Sequence, residues 1–301
     1  MDLDIVRIEC DIVTDTPVQL TAALYNALRS FEAEFRASCC PNVQEPCSSC
    51  HRYAGCPFRA VFEQGLSADP EIIRRHQKPS LPFSLYVIDM DSKMPSHAVG
   101  LVVIGRAVNF VEYFHTALLK MVEAAVRTAL PHVTFALSSH SIDYQNVRHG
   151  IADAASLPES VILLSGQHIL QNTVHSDSVR LILKSPLRLL NNGSIAHRFD
   201  FGMFFRSQLR RCSSLFAYYG HGELDLDFAR LSESAQNVAV LEDDTRYTQP
   251  LWSKRPNRAG LTGIAECAGL AEPMLAVLLL GSYFNAGKGA TFGLGHYQLS
   301  T

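Results

Sequence analysis

Gly287-Lys288-Gly289-Ala290-Thr291-Phe292-Gly293-Leu294-Gly295, followed by His296-Tyr297-Gln298-Leu299, is the stretch on which the reading of this 301-residue chain turns. Four glycines and one lysine in nine residues describe a tight backbone loop that can approach a phosphate chain closely, and the residues after it read as a strand. The order excludes a Walker loop, which needs GxxxxGK, then Ser or Thr, then a helix. Here the lysine comes early and a strand follows.

Outward from the loop, the pattern predicts a helix over Pro273 to Phe284, with proline near its start where a missing N–H costs little. Before it come strands at Leu261 to Ala268 and Glu223 to Phe228, a helix at Phe199 to Tyr218 and a strand at Arg180 to Leu183; Phe292 to Leu299 supplies the last strand. The amino half repeats the order. A strand at Leu3 to Cys10 precedes a helix from Thr21 to Ser38, with Thr21 able to cap it and Leu24, Leu28, Phe31 and Phe35 at helical spacing. Extended pieces at Arg59 to Phe62 and Phe83 to Ile88 and an apolar strand at Val99 to Val108 follow. A helix from about Glu112 to Leu130 is ended by Pro131, and Val133 to Leu137 closes the unit. Strand, helix, two strands, helix, strand is the ferredoxin-like order. The expected fold class is therefore α+β, with two tandem ferredoxin-like (RRM-like) domains: residues 1–140, a connector over 141–177, and 178–301 carrying the loop 287–295.

With 47% hydrophobic residues, both domains can bury a real core. Lys and Arg total 26 against 29 Asp and Glu, so the net charge of −3 announces no polyanion binder. The distribution is uneven. Between Arg180 and Arg211 seven cations stand against Asp200 alone, whereas Glu223 to Asp244 holds seven acids against Arg230. Segregation of this kind can build one basic face on a neutral molecule, although a solvated helix face is the plainer reading. The acidic start and the lack of any run of about 18 apolar residues give an expectation of a cytoplasmic protein without a membrane partner.

Cys10, Cys212 and Cys267 read as buried thiols. The other cysteines crowd into about residues 39–58, a cysteine-rich insertion in the first domain. Cys40, Cys47, Cys50 and Cys56 offer four soft ligands, and the central Cys-x-x-Cys lets two thiolates meet one metal, so a structural zinc is expected. An iron–sulfur cluster uses the same ligands, a loose set of thiols in a loop is the bland alternative, and His51 can replace one cysteine. Redox chemistry is disfavoured, since nothing supplies a flavin, nicotinamide or second-metal partner.

The glycine loop and the doubled domain pattern resemble the Cas6 family of CRISPR precursor-RNA processing endoribonucleases, of the wider repeat-associated RAMP group. Leu270 to Leu299 carries the strongest likeness. Ser185-Pro186-Leu187-Arg188 looks like the family's strand end, Phe199-Asp200-Phe201 with Arg210-Arg211-Cys212 like its second-domain helix, and Trp252-Ser253 with Gly260-x-x-Gly263 like the approach to the next strand. Cys56-Pro57-Phe58 before Phe62-Glu63 is similar to a cysteine-bearing subset. The resemblance implies binding of repeat RNA and one metal-independent cut, in which the ribose 2′-OH attacks the neighbouring phosphorus. The ends left are a 2′,3′-cyclic phosphate and a 5′-OH, and the mature RNA is kept as guide for effector-complex subunits. A silent relative that only binds the RNA is the alternative.

Such chemistry wants a base at the 2′-OH, a donor to the departing oxygen and positive charge at the phosphate. The family's usual histidine sits on or just after the first helix, but Thr21 to Ser38 contains none. His51, with Tyr53 beside it, is the nearest substitute, its ordinary pKa near ~6.5 being suited to proton transfer. Arg29 and Arg36, two turns apart on that helix, could stabilise a phosphorane. Lys288 is the foremost phosphate contact, with Gly287, Gly289 and Thr291 shaping the loop. Further RNA-binding candidates are Arg188, His197 after the Asn191-Asn192-Gly193 turn, Arg206, Arg210 and Arg211 on the basic helix, and Lys254 and Arg255 after Trp252-Ser253.

Overall fold

A computed structural model of the chain describes residues 3–14, 19–47, 50, 55–63, 65–89, 97–152, 157–171, 176, 178–253, 255 and 258–300. Two compact units emerge: Asp4–Leu164, and Ser165–Thr301 together with Met1–Leu3. Among the described residues no helix is long and apolar enough to cross a membrane.

The amino unit begins with strand β1 (Asp4–Thr14), then helices α1 (Thr21–Ala27), α2 (Phe31–Cys39), α3 (Pro57–Phe62) and α4 (Pro70–Arg75). Strands β2 (Phe83–Asp89) and β3 (His97–Ile104), helix α5 (Val111–Ala129) and strand β4 (Phe135–Ile142) complete the ferredoxin-like set. Strand order β2-β3-β1-β4 places β1 between two antiparallel partners, with Ile8 opposite Leu101 on one side and Ser141 on the other. The sheet extends beyond the expected unit: β5 (Arg148–Ile151) forms a hairpin with β4, and β6 (Leu163–Ser165) pairs with β1, with α6 (Leu157–Ser160) between them.

Helix α5 buries Val111, Phe114, Leu118, Met121, Val122, Ala125 and Val126, the three-and-four spacing of one helical face. That face closes on an aromatic cluster. Phe35 and Phe114 lie 4.7 Å apart between ring centroids, Phe31 and Phe83 5.1 Å, and Phe35 and Phe62 5.5 Å. Phe31, Phe35, Phe83 and Phe114 are fully buried.

The second unit contains α7 (Gly166–Gln171), β7 (Ser178–Leu187), the hairpin β8 (Leu190–Asn191) and β9 (Ser194–Ile195), and helix α8 (Phe201–Tyr219). There follow α9 (Phe228–Ser234), β10 (Ala239–Asp243), β11 (Arg246–Thr248), β12 (Gly260–Ala268), α10 (Glu272–Phe284) and β13 (Tyr297–Ser300). Sheet order β10-β12-β7-β13 repeats the arrangement of the first unit, and Ile182 at its centre faces Ile264 and Gln298. Asp200 caps α8, its Oδ1 accepting from the Met203 N–H at 2.6 Å. Tandem ferredoxin-like α+β architecture is thus what the chain adopts.

Several local expectations differ from the structure. The helix expected over Thr21 to Ser38 is broken by a 3-10 turn at Leu28–Ser30, and Leu20 rather than Thr21 occupies the cap position. Arg59 to Phe62 is helical, not extended, because Pro57 is pre-organised for a first turn that buries Phe58 and Val61. The strand expected to reach Val108 stops at Ile104, where Gly105 at φ 58° turns the chain into a 3-10 segment. No strand forms over Glu223 to Phe228. Asp227 instead caps α9 by accepting from the Arg230 N–H, and the edge strand is β10.

Truncating the centre of the aromatic cluster tests this core. Phe114→Ala is expected to destabilise the amino unit by about 3–5 kcal/mol, read from its urea transition.

Candidate nucleic-acid interface

The glycine loop begins where α10 ends. Asn285, fully buried and at φ 58°, turns the chain out of the helix. Two backbone bonds then close a neck: Ala286 N–H donates to Gly295 O at 2.8 Å, and Gly295 N–H donates to Pro186 O at 3.0 Å. Residue 295 has to be glycine. At φ 66° an added Cβ would stand 1.9 Å from the Ala286 carbonyl oxygen. Gly287 permits the second close approach, since a Cβ there would lie 2.5 Å from Arg188 O. Its absence lets the Lys288 N–H reach that same oxygen at 2.8 Å.

Buried polar side chains hold the loop from below. The last carbonyls of a helix lack intrahelical partners, and here Arg211 Nε donates to Phe284 O at 2.7 Å while Gln208 Nε2 donates to Asn285 O at 3.3 Å. Asn285 Nδ2 donates to Ala290 O at 2.8 Å, and its Oδ1 faces His296 Nδ1 at 3.1 Å, so that nitrogen carries the proton. The His296 N–H donates to Ser185 Oγ at 2.8 Å, and Tyr297 OH donates to Leu278 O at 2.6 Å. Ser185-Pro186-Leu187-Arg188 and the glycine loop, far apart in sequence, are therefore one structural unit.

The loop presents Lys288 and Gly289 to solvent, leaves Gly287 and Thr291 half-buried, and sinks Ala290 and Leu294 as plugs. Among the described residues the Lys288 ammonium makes no ion pair. Arg188 is only 9% exposed, and among the described residues its guanidinium makes no ion pair. A guanidinium withdrawn this far is costly without a counter-charge, which a phosphate would supply. Lys288 and Arg188 thus offer an exposed and a recessed cation on one rigid piece of backbone.

The basic helix divides its arginines. Arg210 is exposed and Arg206, four residues before it on the same face, is half-buried. Arg211 is different: it is buried, and burial pushes its pKa down to about 10, so it stays charged at neutral pH while serving the loop from beneath. His197 and Arg255 are exposed, and Lys254 lies outside the described residues.

In the amino unit Arg29 is exposed within the 3-10 turn. Arg36 is engaged locally, with Nη2 donating to Glu45 O at 2.9 Å and the guanidinium carbon 5.4 Å from the Phe58 ring centroid. His51 and Tyr53 lie outside the described residues. All eight cysteines are unbridged, with Cys40, Cys47, Cys50 and Cys56 half-buried. Burial raises the Cys39 thiol to about 11, with Cys56 and then Cys40 adding to the rise. Among the described residues no group of three or more His, Cys, Asp or Glu is placed to hold a metal ion.

Sequence reasoning did not find Gln208, Asn285 or His296. Gln208 left one trace, a polar residue four positions from both Phe204 and Cys212 on the buried face of α8.

Residues 181–297, which span β7, α8 and the whole glycine loop, match the family CRISPR-associated endoribonuclease Cas6. Residues 3–156 match the family AF_1859_N, described as an N-terminal domain. A domain of the Cas6 family of CRISPR-associated endoribonucleases therefore makes up most of the second unit. The fold of the chain is similar to that of Cas6 from Thermus thermophilus, at 12% identity and a TM-score of 0.54 over 100% of this chain and 99% of that one. It is also similar to a second Cas6 seen in a substrate mimic complex, at 14% identity and a TM-score of 0.52 over 99% of both chains. The product complex of that protein gives 13% identity and a TM-score of 0.52 over 99% of this chain and 100% of the other. No match was found among curated proteins.

Shape and charge at the loop separate by substitution. Gly295→Ala is expected to lower stability by roughly 2 kcal/mol or more through strain at positive φ, whereas Lys288→Ala leaves the urea midpoint within error.

Proposed function

We propose that this chain binds CRISPR repeat RNA and cuts it once, retaining the processed RNA. The observation that carries the reading is the exposed Lys288 on a backbone fixed to that of Arg188, a nearly buried cation without an ion pair among the described residues. Phosphate binding at such a loop draws on backbone curvature and localised charge together. The step is a transesterification: a base takes the 2′ proton as the 2′ oxygen bonds to phosphorus, the bond from phosphorus to the 5′ oxygen breaks, and a proton is delivered to that leaving oxygen. It needs no metal and leaves a 2′,3′-cyclic phosphate and a 5′-OH.

A second reading, an RNA-binding relative without cleavage, is favoured by one observation: neither α1 nor α2 contains a histidine. Incubating the purified protein with its own repeat RNA in EDTA decides between them. A single cut ending in a cyclic phosphate supports the enzyme, and tight binding with intact RNA supports the silent subunit. For the enzyme, a deoxyribose at the cut position abolishes cleavage but keeps binding, since the nucleophile is gone. Lys288→Ala is expected to weaken binding about tenfold and to flatten its salt dependence by about one counterion. His51→Ala and Arg29→Ala instead lower the single-turnover rate more than the affinity.

A structural zinc at Cys40, Cys47, Cys50 and Cys56 rests on spacing alone and takes no part in the cut. Elemental analysis of the purified protein tests it, with one zinc per chain supporting the site and none removing it.

A further inference from the structure

We propose that His197 and Tyr247 form a platform that receives one unstacked base of the bound RNA, an assignment that rests on the RNA reading above and adds a subsite to it. The two rings are stacked, with centroids 4.0 Å apart and planes within 11°. One face of the imidazole lies on the tyrosine. The residue is exposed, and a third ring laid on the opposite face would extend the stack. Tyr247 is half-buried and fixed in β11 opposite Leu261 of β12, so the lower layer of the stack is anchored in the sheet.

Charge around the pair suits a nucleotide. Arg198 and Arg246 each adjoin one of the rings in sequence, both are exposed, and neither makes an ion pair among the described residues. Asp243, earlier in the same hairpin, is occupied in closing the turn, its Oδ1 accepting from the Thr245 N–H at 3.0 Å and the Thr245 hydroxyl at 2.6 Å. Arg246 alternates with Tyr247 along β11 and leaves the opposite face of the strand, so Arg198, next in sequence to the exposed imidazole, is the cation that would add backbone attraction to base stacking.

Register ties the platform to the glycine loop. Tyr247 is opposite Leu261, Leu261 is opposite Leu187, and Arg188, the next residue, bridges to Gly287. Three lateral steps of ~4.8 Å put the loop backbone roughly 15 Å from that of Tyr247. At ~3.4 Å of rise per stacked nucleotide, this is about the length of four nucleotides. One RNA strand can therefore engage the Lys288 loop through a phosphate and the His197 face through a base a few residues away. Bases splayed from single-stranded RNA commonly stack on His and Tyr in this way.

The test uses the full chain and its repeat RNA with a deoxyribose at the cut position, carrying 2-aminopurine at one position at a time. Binding is expected to quench one position through stacking, and His197→Ala or Tyr247→Leu restores its fluorescence with roughly a tenfold loss of affinity. Tyr247→Phe keeps both the quench and the affinity, which separates ring stacking from damage to the hairpin. An abasic site at the quenched position makes wild type and His197→Ala bind equally. If RNA is held with full dependence on Lys288 while the quench pattern and affinity of His197→Ala match wild type, the platform alone is overturned. If the wild-type protein holds no repeat RNA, both the platform and the reading beneath it fall.

Discussion

A single backbone hydrogen bond, from the Lys288 N–H to the Arg188 carbonyl at 2.8 Å, fixes where the exposed cation of the glycine loop stands. It forms because residue 287 has no side chain to stand between the two chains. The paired residues 286 and 295 prevent the loop from opening at its base, and Asn285 braces it inside through Ala290 O. A lysine on such a frame has lost most of its backbone freedom before any ligand arrives. Association therefore orders little beyond the side chain itself.

The arginines show how one residue type serves opposite ends. Arg211 is withdrawn from solvent and spans α8 and the end of α10, which costs it part of its proton affinity. Arg188 sits at the margin, nine-tenths buried and without an ion pair among the described residues. Lys288 and Arg210 are exposed. Net charge is a poor guide to such a surface because it sums over the acidic segment between Glu223 and Asp244 as well. Potential near the loop is set by the closest cations, since charges beyond ~10 Å are largely screened at ordinary ionic strength.

The fold was legible where hydrophobic spacing was long and regular. Helices α5, α8 and α10 and strands β7 and β12 lie within a few residues of expectation because each is long and rich in buried apolar residues. Short elements were not legible. At Arg59 to Phe62 a proline before two phenylalanines outweighed an apparently extended run, and at Glu223 to Phe228 alternating acids and leucines imitated a strand in what is the approach to a capped helix. In the site, the glycines were readable because positive φ and close approach leave a mark on composition. The buried support was not: Gln208 acts on carbonyls of Gly281 and Asn285, far away in sequence, and these partners exist only once α8 and α10 have packed.

The break at Leu28–Ser30 bears on the chemistry. On a continuous helix Arg29 and Arg36 would share a face, as seven residues make about two turns. The 3-10 turn interrupts that continuity, leaving Arg29 exposed while Arg36 bonds to Glu45 O and lies over Phe58. A guanidinium in Arg29's position can neutralise charge growing on a phosphorane, but it hardly gives up its proton and so makes a poor base. Charge stabilisation and proton removal consequently belong to different side chains in any cut this chain performs. An RNA that aligned its own 2′ oxygen with the departing bond would lessen the demand on the base, since orientation supplies a large part of such a barrier. On the proposed function, shape-determined binding of the RNA would then carry part of the catalysis that a histidine on the first helices would otherwise provide.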